Sequence, residues 1–126
     1  MMRWEKGRDQ VDQMIERGEL DRVVPSREQA DLLLKQARAH VETARASAPD
    51  DPAGAYSLAY DAARKALAAV LANEGLRASS RGGHIAVYEA ATAQLVPPLG
   101  AQIRPFDRMR RTRNAHEYPV LEAAGT

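Results

Sequence analysis

The run Asp51 to Leu76, DPAGAYSLAYDAARKALAAVLANEGL, constrains the fold more than any other part of the chain. It opens on an acid followed by proline, a helix cap and then a first helical residue whose missing N–H costs nothing there. It closes on Asn73-Glu74-Gly75-Leu76, with Gly75 as the terminal glycine and Leu76 as the apolar residue that folds back. Between them Tyr56, Ala59, Tyr60, Ala63, Leu67, Val70 and Leu71 recur at helical spacing, which predicts one long helix with an apolar face. Alanine supplies 24 of the 126 residues, against one Phe and one Trp. Small side chains and few β-branched ones favour close-packed helices over sheets.

Similar punctuation recurs on either side. Ser26 followed by Gln29 has the form of a capping box, opening a helix through Ala30, Leu33, Leu34, Ala37, Val41 and Ala44 that ends near Ala48. Upstream, Trp4, Val11, Met14 and Ile15 predict a short first helix stopped at Gly18. Arg77 to Gly83 reads as an exposed, mobile loop, followed by a helix from about His84 to Leu95 that carries Ile85 and Tyr88. Pro97-Pro98-Leu99-Gly100 breaks the chain, and a last helix is expected from near Pro105 to Tyr118, stopped by Pro119. The expected class is all-α, an up-and-down bundle of four principal helices plus a short N-terminal helix. The length suits one core. The expected organisation is an N-terminal helical extension over 1–25, the bundle over 26–120 and a C-terminal tail over 121–126.

The formal net charge of +1 excludes a histone-like global field. Distribution says more, because five arginines lie between Arg104 and Arg113 against the single acid Asp107, so an anion site is expected near the C-terminus. Fifteen of the eighteen basic residues are Arg, a bias that phosphate recognition and genomic base composition both explain. No cysteine is present, which removes disulfides, thiolate nucleophiles and zinc–thiolate sites. The first residues lack a signal-type apolar stretch and no run reaches membrane-spanning length, so a soluble cytoplasmic protein with no membrane partner is expected. His40, His84 and His116 show no metal-ligand spacing, and neither a metal nor a cofactor is proposed.

The candidate chemistry lies in Arg110-Arg111-Thr112-Arg113-Asn114-Ala115-His116-Glu117-Tyr118. Arginine forks match phosphate oxygens, and a histidine titrating near neutrality can move the protons that RNA cleavage requires. Phe106, Arg110, Arg113 and Glu117 share one side of the helix, with Asn114 and Tyr118 adjacent. Arg113, Asn114 and His116 are the candidate catalytic residues, with Arg110, Arg111, Glu117 and Tyr118 as supporting or phosphate-binding groups. Elsewhere, Tyr56 and Tyr60 read as core, Asp61 and Lys65 as a surface ion pair, His84 as a cap or a contact to the preceding helix, and His40 as unpartnered.

The segments AYSLAYDAARKALAAVLANEGLR, Gly83-His84 and RRTRNAHEYP, in that order, resemble the HEPN superfamily of small helical domains, over about Ser26 to Pro119. The first helix with Gly18-Glu19-Leu20 resembles the extension of some stand-alone bacterial members. The resemblance implies a homodimer in which the last-helix motifs of both protomers meet, and a metal-independent endoribonuclease of toxin or defence type. In such a site a histidine assists attack of the RNA 2′-hydroxyl on the adjacent phosphate and an arginine stabilises the transition-state charge, leaving a cyclic 2′,3′-phosphate. The family motif, an arginine with a polar neighbour and a histidine farther on, admits three registers here. Arg113-Asn114 places Tyr118 at the histidine position, Arg111 pairs with His116 across Thr112, and Arg110 also pairs with His116. The alternatives are a non-catalytic HEPN dimer binding RNA, nucleotide or a protein partner such as a nucleotidyltransferase-type antitoxin, and a structural dimer whose arginines pair with Glu117 and Glu122.

Overall fold

The computed structural model describes residues 5–96 and 100–117; the side chains of Gln102, Arg113, Asn114, His116 and Glu117 lie outside that description, as do Trp4, Pro97 to Leu99, Tyr118 and Pro119. The described chain runs α1 (Arg8–Glu16), β1 (Leu20–Arg22), α2 (Arg27–Ser47), α3 (Pro52–Glu74), β2 (Leu76–Ala78), α4 (Gly83–Leu95), α5 (Gly100–Ile103) and α6 (Pro105–Glu117). It is an all-α helical bundle with one two-stranded ladder.

Local chemistry sets the long helices. Ser26 Oγ accepts the Gln29 N–H at 2.9 Å, one half of the expected capping box. The other half is replaced, because the Ser26 N–H donates to the Ala72 carbonyl of α3 and so ties the start of α2 to the end of α3. Asp51 Oδ1 caps α3 by accepting the Gly54 N–H at 3.0 Å, and Gly75 ends that helix with φ of 81°.

Helix α2 packs most extensively on α3. Its buried residues are Ala30, Ala37 and Ala44, one heptad apart, and α3 buries Ala55, Ala62 and Ala69 at the same interval. Seams of methyl groups at a heptad repeat let two helices lie close and nearly antiparallel. The expected apolar face of α2 is therefore corrected: Leu33 and Leu34 are half-buried, and Val41 is exposed. Helix α3 departs from a single face for another reason. It touches α2, α4, α6 and β2, so buried positions occur on more than one side of it.

The N-terminal segment, expected as an extension, contributes Val11, Met14 and Leu20 to the core cluster with Leu71, Leu76, Ala86, Ala90 and Ala91. The loop expected over Arg77 to Gly83 is corrected at its start. Leu76–Ala78 pairs antiparallel with Leu20–Arg22, in register Leu20 with Ala78 and Arg22 with Leu76. The Val23 N–H to Gly75 carbonyl and Ser79 N–H to Glu19 carbonyl bonds extend the ladder at both ends. Ser79 Oγ also donates to the Gly18 carbonyl at 2.5 Å and accepts the Gly82 N–H. The ladder satisfies backbone groups that a bare crossing of two chains would leave unpaired.

Candidate functional site

Helix α6 carries the arginine-rich segment, and its position follows from its first turn. Pro105 opens the helix, and Phe106, 2% exposed, anchors it. The Phe106 ring lies against Tyr60 of α3 at 5.0 Å between centroids and against Tyr88 of α4 at 5.9 Å, both stacked. Tyr60 in turn shares a 2.6 Å hydrogen bond with His84 Nδ1. His84 therefore contacts the third helix, as one of its two sequence readings had it. The junction of α3, α4 and α6 is thus aromatic, and the Tyr60–His84 hydrogen bond adds a polar tie.

Above that junction the acid Asp107 collects two arginines. Arg110 places Nε and Nη2 on Oδ1 at 3.2 and 2.9 Å, and Arg111 places Nε and Nη2 on Oδ2 at 3.1 and 2.5 Å. Hydrogen bonds from Arg111 and then Arg110 hold the Asp107 carboxyl below the usual carboxylate range. The acid also sits in the first helical turn, where the helix dipole favours it. Arg110 is drawn toward the junction with its side chain 21% exposed, whereas that of Arg111 stays 70% exposed.

The outer side of α6 shows a pattern that the sequence reading missed. Arg104, immediately before the helix, and Arg108, Arg111 and Ala115 on it are all exposed and follow one another at spacings of four, three and four, a single stripe. Arg104 and Arg108 have no acidic partner among the described residues. The signal was present in the sequence as the i, i+4, i+7 spacing of three arginines. Phe106 and Arg110, one turn apart, mark the opposite, inward side.

Of the candidate residues, Arg110 and Arg111 meet at Asp107. Arg113, Asn114 and His116 occupy the last turns of α6, with their side chains outside the described set, as is that of Glu117; Tyr118 and Glu122 lie outside the described residues entirely. Two pairings read from sequence are corrected. Asp61 lies 3.8 Å from Arg64 instead of pairing with Lys65, and Lys65 Nζ donates to His40 Nε2 at 2.9 Å, so His40 does have a partner. Lys65 sits opposite α2, and that geometry turns its amine toward His40.

No cluster of three or more metal-ligating side chains occurs among the described residues. Among the same residues no helix is long and apolar enough to cross a membrane. Compared with protein-family models, curated proteins and solved structures, the chain gives no match.

Proposed function

We propose that the protein acts on RNA through α6, as a homodimeric HEPN-type endoribonuclease that needs no metal. The observation that carries this reading is the exposed stripe Arg104, Arg108 and Arg111. Phosphate neutralisation by arginine is the sequence-independent part of nucleic-acid affinity, and the stripe continues toward the turn that holds Arg113, Asn114 and His116. His116 is the group to move a proton between the 2′-hydroxyl and its surroundings, and Arg113 with Asn114 stabilises the charge that develops on phosphorus. DNA lacks the nucleophile and is inert to this chemistry.

A second reading, a non-catalytic dimer that binds RNA, nucleotide or a protein partner, is favoured by one observation. Asp107 engages both Arg110 and Arg111, the arginines of the two registers that use His116. An arginine already held by a carboxylate has fewer donors left for a transition state.

Labelled RNA incubated with the protein in excess EDTA separates the two. Cleavage to cyclic 2′,3′-phosphate ends, lost in His116→Ala while RNA affinity persists, is the expected result. Salt-sensitive binding without turnover transfers the function to the second reading, and absence of binding overturns both.

A further inference from the structure

We infer that the groove bounded by β2, the β1–α2 connection and helices α2 and α3 binds a small organic carboxylate with an apolar body. The groove has a volume of about 390 Å³, within the range of about 300–1,000 Å³ usual for small-molecule sites. Its lining is mainly apolar, with Leu71, Leu76 and Val87 at 1%, 2% and 5% exposure and Leu33 half-buried beside them. Val24 stands in the same lining at 83% exposure, the most exposed large hydrophobic side chain among the described residues. An apolar body laid against Val24 and Leu33 removes that surface from water.

The charge of the occupant follows from Arg64 and Arg77. Both line the groove, and no acid lines it. Arg77 leans toward Asp21 on the neighbouring strand, 3.6 Å away, and is largely exposed. Arg64 differs. Its Nε is buried and has no hydrogen-bond partner among the described residues, since Asp61 Oδ1 lies 3.8 Å away, beyond hydrogen-bond reach. A buried donor without an acceptor is a standing penalty, and a guanidinium meets a carboxylate through two parallel bonds. A carboxylate in the groove would meet the positive charge of Arg64 and Arg77, and the Gln29 side chain lies in the same lining to donate to one of its oxygens. A dianion fits less well, because both arginines already have an acid within 4 Å, Asp61 for Arg64 and Asp21 for Arg77, and would have to offset a second desolvated charge. No residue of α6 lines the groove, so the site stands independently of the RNA reading.

Titration of the full chain with sodium octanoate and with 1-octanol, followed by backbone amide NMR, tests the site. The expected result is saturable one-to-one octanoate binding with shifts centred on Val23, Gln29 and Leu76. Arg64→Gln should weaken it at least about tenfold, and 1-octanol should bind at least about tenfold more weakly than octanoate, from loss of the charged pair. Val24→Asp, on an exposed position that folding does not need, should weaken octanoate several-fold and keeps the test decisive if Arg64→Gln does not fold. Shifts that do not saturate, octanol binding as tight as octanoate, or affinity unchanged by both substitutions would overturn the proposal.

Discussion

The Tyr60 hydroxyl and His84 Nδ1 lie 2.6 Å apart, joining the middle of α3 to the first turn of α4 beneath the helix that carries the arginines. Tyr60 is 0% exposed and also stacks on Phe106, so one side chain fixes three helices. Tyr60→Phe keeps the stack and deletes the hydroxyl. A loss of about 1–2 kcal/mol is expected, since a buried hydroxyl bond to half-buried His84 is removed, and urea unfolding monitored by circular dichroism checks it. Unchanged stability would show that the hydrogen bond contributes nothing net.

Asp107 links stability to pH. Its folded pKa is lowered by Arg111 and Arg110, so its contribution is full above the ordinary carboxylate range and fades as pH falls through the lowered value. Asp107→Asn should therefore be less stable than the parent near neutrality, with the two curves converging in acid, as denaturant titrations between about pH 6 and about pH 2 would show. The same substitution releases Arg110 and Arg111. Its RNA affinity should rise, and the slope of log affinity against log salt should steepen by up to about 0.7 for each added single-strand phosphate contact.

Among the described residues no acid holds Arg104 or Arg108, so the opposite outcome is expected on their removal. Arg104→Gln with Arg108→Gln should weaken RNA binding without sequence preference and flatten the salt slope by about 1.4 in total, for two contacts. Fluorescence anisotropy at several salt concentrations measures both. Equal affinity for parent and variant would move the RNA surface away from this side of α6.

Met14 is 0% exposed and packs in the core cluster with Leu71 and Leu76. Met14→Ala should cost about 2–5 kcal/mol, the range for a truncated core methionine. A dispensable extension would instead tolerate the change, so a single denaturation curve decides whether the first helix is part of the folding unit.

Two glycines with left-handed backbones separate strain from crowding. A Cβ at Gly18, φ of 76°, would meet its nearest atom at 3.8 Å, whereas one at Gly75, φ of 81°, would meet the Val23 carbonyl oxygen at 2.8 Å and Pro25 Cγ at 2.9 Å. Gly18→Ala should cost about 1–2 kcal/mol from backbone strain alone. Gly75→Ala should cost more, because it also pushes on the segment that carries the ladder into α2. Thermal denaturation of the two variants side by side reads the difference.

The helices were legible because their signals are local. Ser26, Asp51, Gly75 and Pro105 act on backbone groups within one turn of themselves, and a reader needs no distant residue to interpret them. The ladder was illegible for the converse reason. Leu20–Arg22 and Leu76–Ala78 are short and contain no β-branched residue, and they become strands only because folding brings Gly18 against Ser79, 61 positions away. The candidate surface was half legible. Arginine density marked the last helix, but which side of it faced outward depended on where Phe106 found Tyr60 and Tyr88.

By itself the sequence determined an all-α chain, the approximate bounds of its long helices and the concentration of arginines near its end, since propensity, capping and charge are properties of neighbours along the chain. The tertiary structure decided the rest: the incorporation of the first helix into the core, the Lys65 to His40 and Tyr60 to His84 partnerships, and the division of the α6 arginines between an acid and open solvent. Each of these depends on groups from different elements meeting at a few ångströms, and such distances are fixed by packing the whole bundle at once.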